Sequence, residues 1–214
     1  MKAAVILAAA VTCIPSGDYS ADVTHPYLAF STVARAELLR EGKKRVEVVR
    51  RLEEKTEKVA GVDCLVMVEE ETVNGKIYEV SRNYFAQKDG AVYYFGEDVD
   101  NYKDGKIDNH DGSWKVGREV KEPFLFLPAE PKKGDKFRPE DVKGVAEDEA
   151  VILGVGETLE VNGVKYADVL KIELTIVIDK EVKVKYYAKG VGLIREEEGA
   201  DKRLDLRKVV RKGE

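Results

Sequence analysis

The sequence predicts an all-β protein: a single antiparallel, strongly curved sheet or partly open β-barrel, a meander with little helix. Three observations carry that expectation. Apolar and polar residues alternate with a period of two along several runs. Asn-Gly and Asp-Gly pairs punctuate those runs, and they supply the positive φ angles of type I′ hairpin turns. Four of the six prolines fall in one stretch, Lys121–Gly144. Proline removes ladder donors, so that stretch is a connection and not a central strand.

The elements follow in chain order. The start, MKAAVILAAAVTC, has a lysine, an apolar run and small residues, the pattern of a short signal peptide. Residues 1–21 read as that segment or as one docked on the body, and 22–214 as one β domain. Cys13 stands at a poor lipobox. The apolar run is too short to span a membrane. FSTVARAELLR, Phe30–Arg40, fits a helix capped by Ser31 or a strand equally well. VDCLVMV places Val62, Cys64, Val66 and Val68 on one side of a strand. Hairpin turns are expected at Asn74-Gly75, Asp89-Gly90, Asp104-Gly105 and Asn162-Gly163, with weaker ones at Glu41-Gly42 and Asp179-Lys180.

Within the proline-rich connection, Phe124–Leu127 are expected to be pinned to the core. GVGET, Gly154–Thr158, lacks the third glycine and following helix of a dinucleotide fingerprint and reads as a bulge. KIELTIVID directs Ile172, Leu174, Ile176 and Ile178 to one face. KEVKVKYY directs Val182, Val184 and Tyr186 inward and Lys183 and Lys185 outward. The result is a meander of about nine to twelve strands from Ala34 onward.

Composition narrows the function classes. Of 214 residues 36% are charged, against a usual quarter, and the net charge is −5. Both signs are interspersed, so there is no basic stripe to displace counterions from nucleic acid. One glutamine, few serines and abundant Lys and Glu fit a hyperthermophilic origin or a redesigned scaffold; either predicts high stability. Two cysteines make no disulfide framework, and nothing beside Cys64 in sequence lowers its pKa.

Candidate sites cluster in the middle of the chain. DNYKDGKIDNHD matches a calcium loop in part, with Asp100, Asp104, Asp108 and Asp111 as possible Ca²⁺ ligands. Tyr102 is a poor ligand at the third position, and the flanks are not helical. A hairpin needs no such exceptions. The only histidines are His25 and His110; HExxH, GxSxG and P-loop patterns are absent. Aromatic residues concentrate on three successive strands, where core packing and cross-strand pairs account for them. The functional alternative is a barrel mouth lined by rings: Tyr84, Tyr94 and Trp114, with Arg82, Glu97 and Asp98 as polar anchors. Such a mouth takes a small apolar or sugar-like ligand. Glu147, Asp148 and Glu149 would add a second acidic rim.

The chain resembles a family of uncharacterised, mostly exported bacterial β-proteins. The resemblance rests on HPYLAF (His25–Phe30), GVDCLVMV continuing to YYFGEDVDNYKDGK (Gly61–Lys106), GSW (Gly112–Trp114), GDKFRPE with GVAEDEA (Gly134–Ala150), and KYYAKGVGLI (Lys185–Ile194). The last motif is also similar to the ends of periplasmic half-barrels akin to lipoprotein carriers. The resemblance implies a β fold, an extracytoplasmic location and, in relatives, a second cysteine at the position of Val169. It implies no activity. The function expected is a non-catalytic exported binding or structural module. The alternatives are a surface subunit self-associating by strand addition, a small hydrolase or isomerase using Glu97 or Asp98, and a redesigned scaffold.

Overall fold

The computed structural model describes residues 19–199 and 201–214; the export-signal reading, Cys13 included, lies almost wholly outside them. Among the described residues there are strands and no helix. In chain order they are β1 (Val33–Arg40), β2 (Val46–Leu52), β3 (Glu57–Val59), β4 (Val62–Val73), β5 (Lys76–Lys88), β6 (Ala91–Lys103), β7 (Lys106–Asn109) and β8 (Trp114–Lys115). Then come β9 (Phe124–Leu127), β10 (Lys136–Val142), β11 (Ala146–Val161), β12 (Val164–Ile176), β13 (Glu181–Ala188), β14 (Gly192–Glu198) and β15 (Lys202–Arg211). Phe30–Arg40, open between helix and strand in sequence, is a strand from Val33.

The turns formed where their chemistry demanded. Asn74, Asp89, Asp104 and Asn162 each have φ near +50°, and each is followed by a glycine with φ between 75° and 80°. These are the paired left-handed residues of type I′ turns. GVGET is a series of bulges, with register shifts on both sides of Gly154 and Gly156 at φ +74°. Phe124–Leu127 pairs with β6, and Pro139 sits at a register shift in the edge strand β10, where a missing N–H costs no ladder bond.

The strands form one open antiparallel sheet of 15 strands, more than the sequence suggested because β3, β7, β8 and β9 are short. Its order is β10-β11-β12-β13-β14-β15-β1-β2-β4-β5-β6-β7, with β3 beside β4 and β8 and β9 beside β6. The first and last strands, β1 and β15, pair antiparallel and join the two halves of the meander. The free ends of the sheet therefore lie in the middle of the chain. Side chains from β10 at one end and from β6 and β9 at the other line the same cavity, so the sheet curls almost onto itself. β9 packs against β10 without a backbone ladder between them, which leaves a seam.

One end of the curled sheet is closed by the segment before β1. Gln87, the single glutamine, accepts hydrogen bonds from the Thr24 and His25 amides at 2.8 and 3.1 Å. His25 Nε2 lies 3.0 Å from the Pro128 carbonyl, and the Gly190 amide donates to the Pro26 carbonyl. These bonds place Leu28 and Phe30 as the floor of the cavity.

Two alternation readings need correction. Val182 is 47% exposed and Ile178 45% exposed, whereas Lys185 lines the cavity and Lys183 pairs with Glu196 at 3.4 Å. The apolar side of β13 faces outward because the inner surface carries carboxylates that neutralise the lysines. Period-two alternation defines two faces but does not say which one is concave.

Candidate functional site

The cavity holds about 230 Å³, room for roughly eight water molecules at ~30 Å³ each. Its polarity is graded, and the grading can be read every second residue along the strands. β5 runs Phe85, Asn83, Ser81, Glu79 from floor to open end; β4 runs Met67, Glu69; β13 runs Tyr187, Lys185. The floor is thus apolar and aromatic, and a charged band lies above it.

Some of the band neutralises itself. Arg50 donates to Glu69. Lys183 and Lys185 flank Glu196 at 3.4 and 3.5 Å. Burial pushes the Glu196 carboxyl up, but Lys185, Lys183 and Arg50 overcome it and hold it at about 2. Four cavity carboxyls, Glu79, Glu97, Glu140 and Asp148, have no basic group in ion-pair contact among the described residues. All four are raised, chiefly by burial, Glu79 to about 7. Each lines the cavity.

Glu97 and Glu140 are in hydrogen-bonding contact with each other. Trp114, fully buried, donates from Nε1 to Glu140 Oε1 at 2.7 Å. Tyr94 donates to Asn83 Oδ1, and Asn83 donates to the Met67 carbonyl at 3.2 Å and to Ser81 Oγ at 3.0 Å. Phe85 stacks on Tyr94 at 4.7 Å, and Trp114 meets Tyr94 edge-on at 5.2 Å. Gly96 makes this possible. Its φ is +133°, and a Cβ there would lie 2.3 Å from the Trp114 carbonyl oxygen. Only glycine lets β8 approach β6 closely enough to set Trp114 opposite Glu97.

The six residues expected at the mouth divide between the two faces. Tyr94 and Glu97 line the cavity, and Trp114 supports it through Glu140. Tyr84, Arg82 and Asp98 lie on the other face. There the Tyr84 hydroxyl and Lys115 Nζ each lie 2.6 Å from Asp98 Oδ2, with Lys115 over the Tyr84 ring at 4.4 Å. Burial raises the Asp98 carboxyl, but Lys115 and Tyr84 outweigh it and leave it below the ordinary value. Arg82 pairs with Asp100 at 3.4 Å, and His110 Nδ1 lies 2.9 Å from Asp100.

Asp104 occupies the β6–β7 turn, while Asp108 accepts from the Asn109 amide and the Asp111 backbone amide donates to Asn109. Among the described residues no three His, Cys, Asp or Glu side chains are grouped to hold a metal ion. Of the second acidic rim only Asp148 faces the cavity; Glu147 accepts from the Gly144 amide and Glu149 pairs with Arg138. Cys64 is a free, buried thiol pushed up to about 12 by burial, which removes it as a nucleophile.

Sequence reasoning missed Glu140, Glu79, Arg50 and Lys185. They come from four separate strands, and only the curl of the sheet brings them together. Alternation within one strand gave no signal of this: in β13 the charges Glu181, Lys183 and Lys185 all share one face, as on an ordinary solvated strand.

No family model matches the chain, and no curated protein matches it. Among solved structures, a "putative lipoprotein" from Parabacteroides distasonis ATCC 8503 is similar, at 12% identity over 84% of this chain and 94% of that chain, with a TM-score of 0.39. A likeness that low carries no argument about this protein.

Proposed function

We propose that this protein is a non-catalytic, extracytoplasmic binding module that takes one small organic ligand inside the curled sheet. The observation that carries this reading is the graded cavity: an apolar floor at Leu28, Phe30, Phe85 and Phe126 beneath a polar band with four carboxyls that have no cation in ion-pair contact. Concave, largely apolar sites with a few convergent polar groups are the usual form of small-molecule sites. The ligand is an amphiphile whose apolar part rests on the floor and whose hydrogen-bonding head reaches the band. The lysine and apolar run at the start of the chain support the extracytoplasmic setting.

Isothermal titration with octanol, octylamine and octyl glucoside tests this, alongside native mass spectrometry of protein purified without chelator. One-to-one binding that is lost in Ala36→Phe, which fills the cavity from β1, is the expected result. Absence of binding to all three at millimolar concentration, with a bare mass, overturns it.

The Glu97–Glu140 contact favours a second reading, a small hydrolase or isomerase. One carboxyl of such a pair retains a proton while the other is ionised, as acid–base chemistry requires. Asp98 is ion-paired on the opposite face and has no place in that reading.

A further inference from the structure

At the seam between β9 and β10 neighbouring strands pack without a backbone ladder. Side chains bridge it instead. Glu97 belongs to β6 and Trp114 to β8, on one side; Glu140 belongs to β10, on the other. We infer that Glu97 and Glu140 form a proton-held gate: the proton they share keeps β10 against β9, and its loss opens the seam as a second, lateral way into the cavity beside its open end. The inference rests on the binding reading above, of which it is the regulation.

The chemistry is elementary. Two carboxyl groups hydrogen-bond to each other only when one carries a proton, because an ionised carboxylate has no donor. With that proton gone, two anions face each other in an enclosed space and repel. Trp114 offers a single N–H, already committed to Glu140. The surroundings do not rescue the pair. Asp148 on β11 and Glu79 on β5 add negative charge; Lys185 on β13 is the cation that acts on Glu140, and it is shared with Glu196. Tyr94 on β6 brings its hydroxyl to Glu97 and eases that carboxyl's ionisation, but it also donates to Asn83, and this does not offset burial and the Glu140 charge. On the outer side of β10, Arg138 is held by Asp141 and Glu149.

The element that moves is an edge strand. β10 is an edge strand with a ladder to β11 alone, and that ladder is broken between Phe137 and Glu140, at Pro139. Swinging β10 outward breaks no other backbone pairing.

Trp114 is the only tryptophan in the chain and sits at the gate, so its emission reports the seam directly. The experiment follows emission maximum and acrylamide quenching of the full chain from about pH 5 to about pH 9, with far-ultraviolet circular dichroism as a check that the sheet persists. A red shift and stronger quenching are expected, with a midpoint above the ordinary carboxylate range. Glu140→Gln and Glu97→Gln each replace the shared proton with an amide donor, so both hold the seam shut and flatten the profile. Asp148→Asn moves the midpoint down. The association rate of octylamine rises with the same midpoint in the wild type. A flat wild-type profile, or a transition that survives in both glutamine variants, overturns the gate. A transition abolished by the variants, without octylamine binding at any pH, keeps the gate and rejects the binding reading.

Discussion

On the outer face of β6, Asp98 meets Lys115 Nζ and the Tyr84 hydroxyl, each at 2.6 Å. On the inner face, one residue earlier, Glu97 meets a second carboxyl, that of Glu140. The two side chains leave adjacent Cα atoms in opposite directions because β strands alternate. Outside, a cation and a phenol stabilise the ionised form and hold the Asp98 carboxyl down. Inside, burial and a like partner raise the Glu97 carboxyl. The sheet thus separates a self-satisfied ion pair, suited to fastening β8 onto β6, from a carboxyl cluster whose charge is incomplete. An arrangement that satisfies itself has nothing left to offer a ligand. The incomplete one does, which is why the cavity and not the acidic hairpin carries the functional reading.

The most damaging way to break the comparison is to remove the residue that serves both faces. Gly96→Val forces a side chain into the Trp114 carbonyl and strains a φ of +133°. We expect a loss of about 3 kcal/mol or more in urea unfolding. A loss below about 1 kcal/mol would show that β8 can rearrange at little cost.

The inner face sets a pH dependence of definite sign. Its raised carboxyls contribute stability that is fully present below their ordinary pKa and lost as pH rises through the raised value, about 7 for Glu79. Glu196 and Asp98 act oppositely: their contribution is present above the ordinary value and lost as pH falls through the lowered one, about 2 for Glu196. Stability should therefore decline between about pH 5 and pH 8. Glu79→Gln should flatten the decline by on the order of 1–2 kcal/mol, allowing for the water that reaches the cavity. Chemical denaturation across that range reads it, and an unchanged slope in the variant would remove Glu79 from the account.

The outer ion pair can be tested by removing its cation. Lys115→Met should cost about 1 kcal/mol, a modest figure because Asp98 is more than a third exposed. Lys115→Met with Asp98→Asn should recover part of it, since no unpaired charge remains. If the double variant is no better than the single, the contact is packing and not charge.

The hairpin aspartates should give the smallest effect. Asp108→Ala and Asp111→Ala are expected to change stability by less than about 0.5 kcal/mol. Added calcium should leave the melting temperature of the wild type unmoved. A calcium-dependent rise abolished by those variants would restore the hairpin as a site.

Part of the fold was legible because its causes are local. An Asn-Gly or Asp-Gly pair specifies a type I′ turn from two adjacent residues, and all four sit in such turns. Gly154 and Gly156 mark bulges, because each changes what its own backbone can bond, whereas the proline-rich stretch read as a connection holds two strands, β9 and β10, with Pro139 at a register shift of the edge strand. The candidate site was half legible. Tyr94, Glu97 and Trp114 stand out as chemistry-bearing residues on neighbouring strands, but so do Tyr84, Arg82 and Asp98, and nothing within those strands distinguishes the face that becomes concave.

The sequence by itself determined most of the long strands, their hairpin turns and the class of the fold, since dihedral preference and alternation act over a few residues. Only the tertiary structure decided that β1 pairs with β15, that the sheet's open ends meet in mid-chain, and that Lys183 and Lys185 turn inward. It alone placed Glu140 against Glu97, which created both the seam and its shifted carboxyls. A carboxyl's charge state depends on what surrounds it within a few ångströms, and in this curled sheet those surroundings come from strands far apart in the chain.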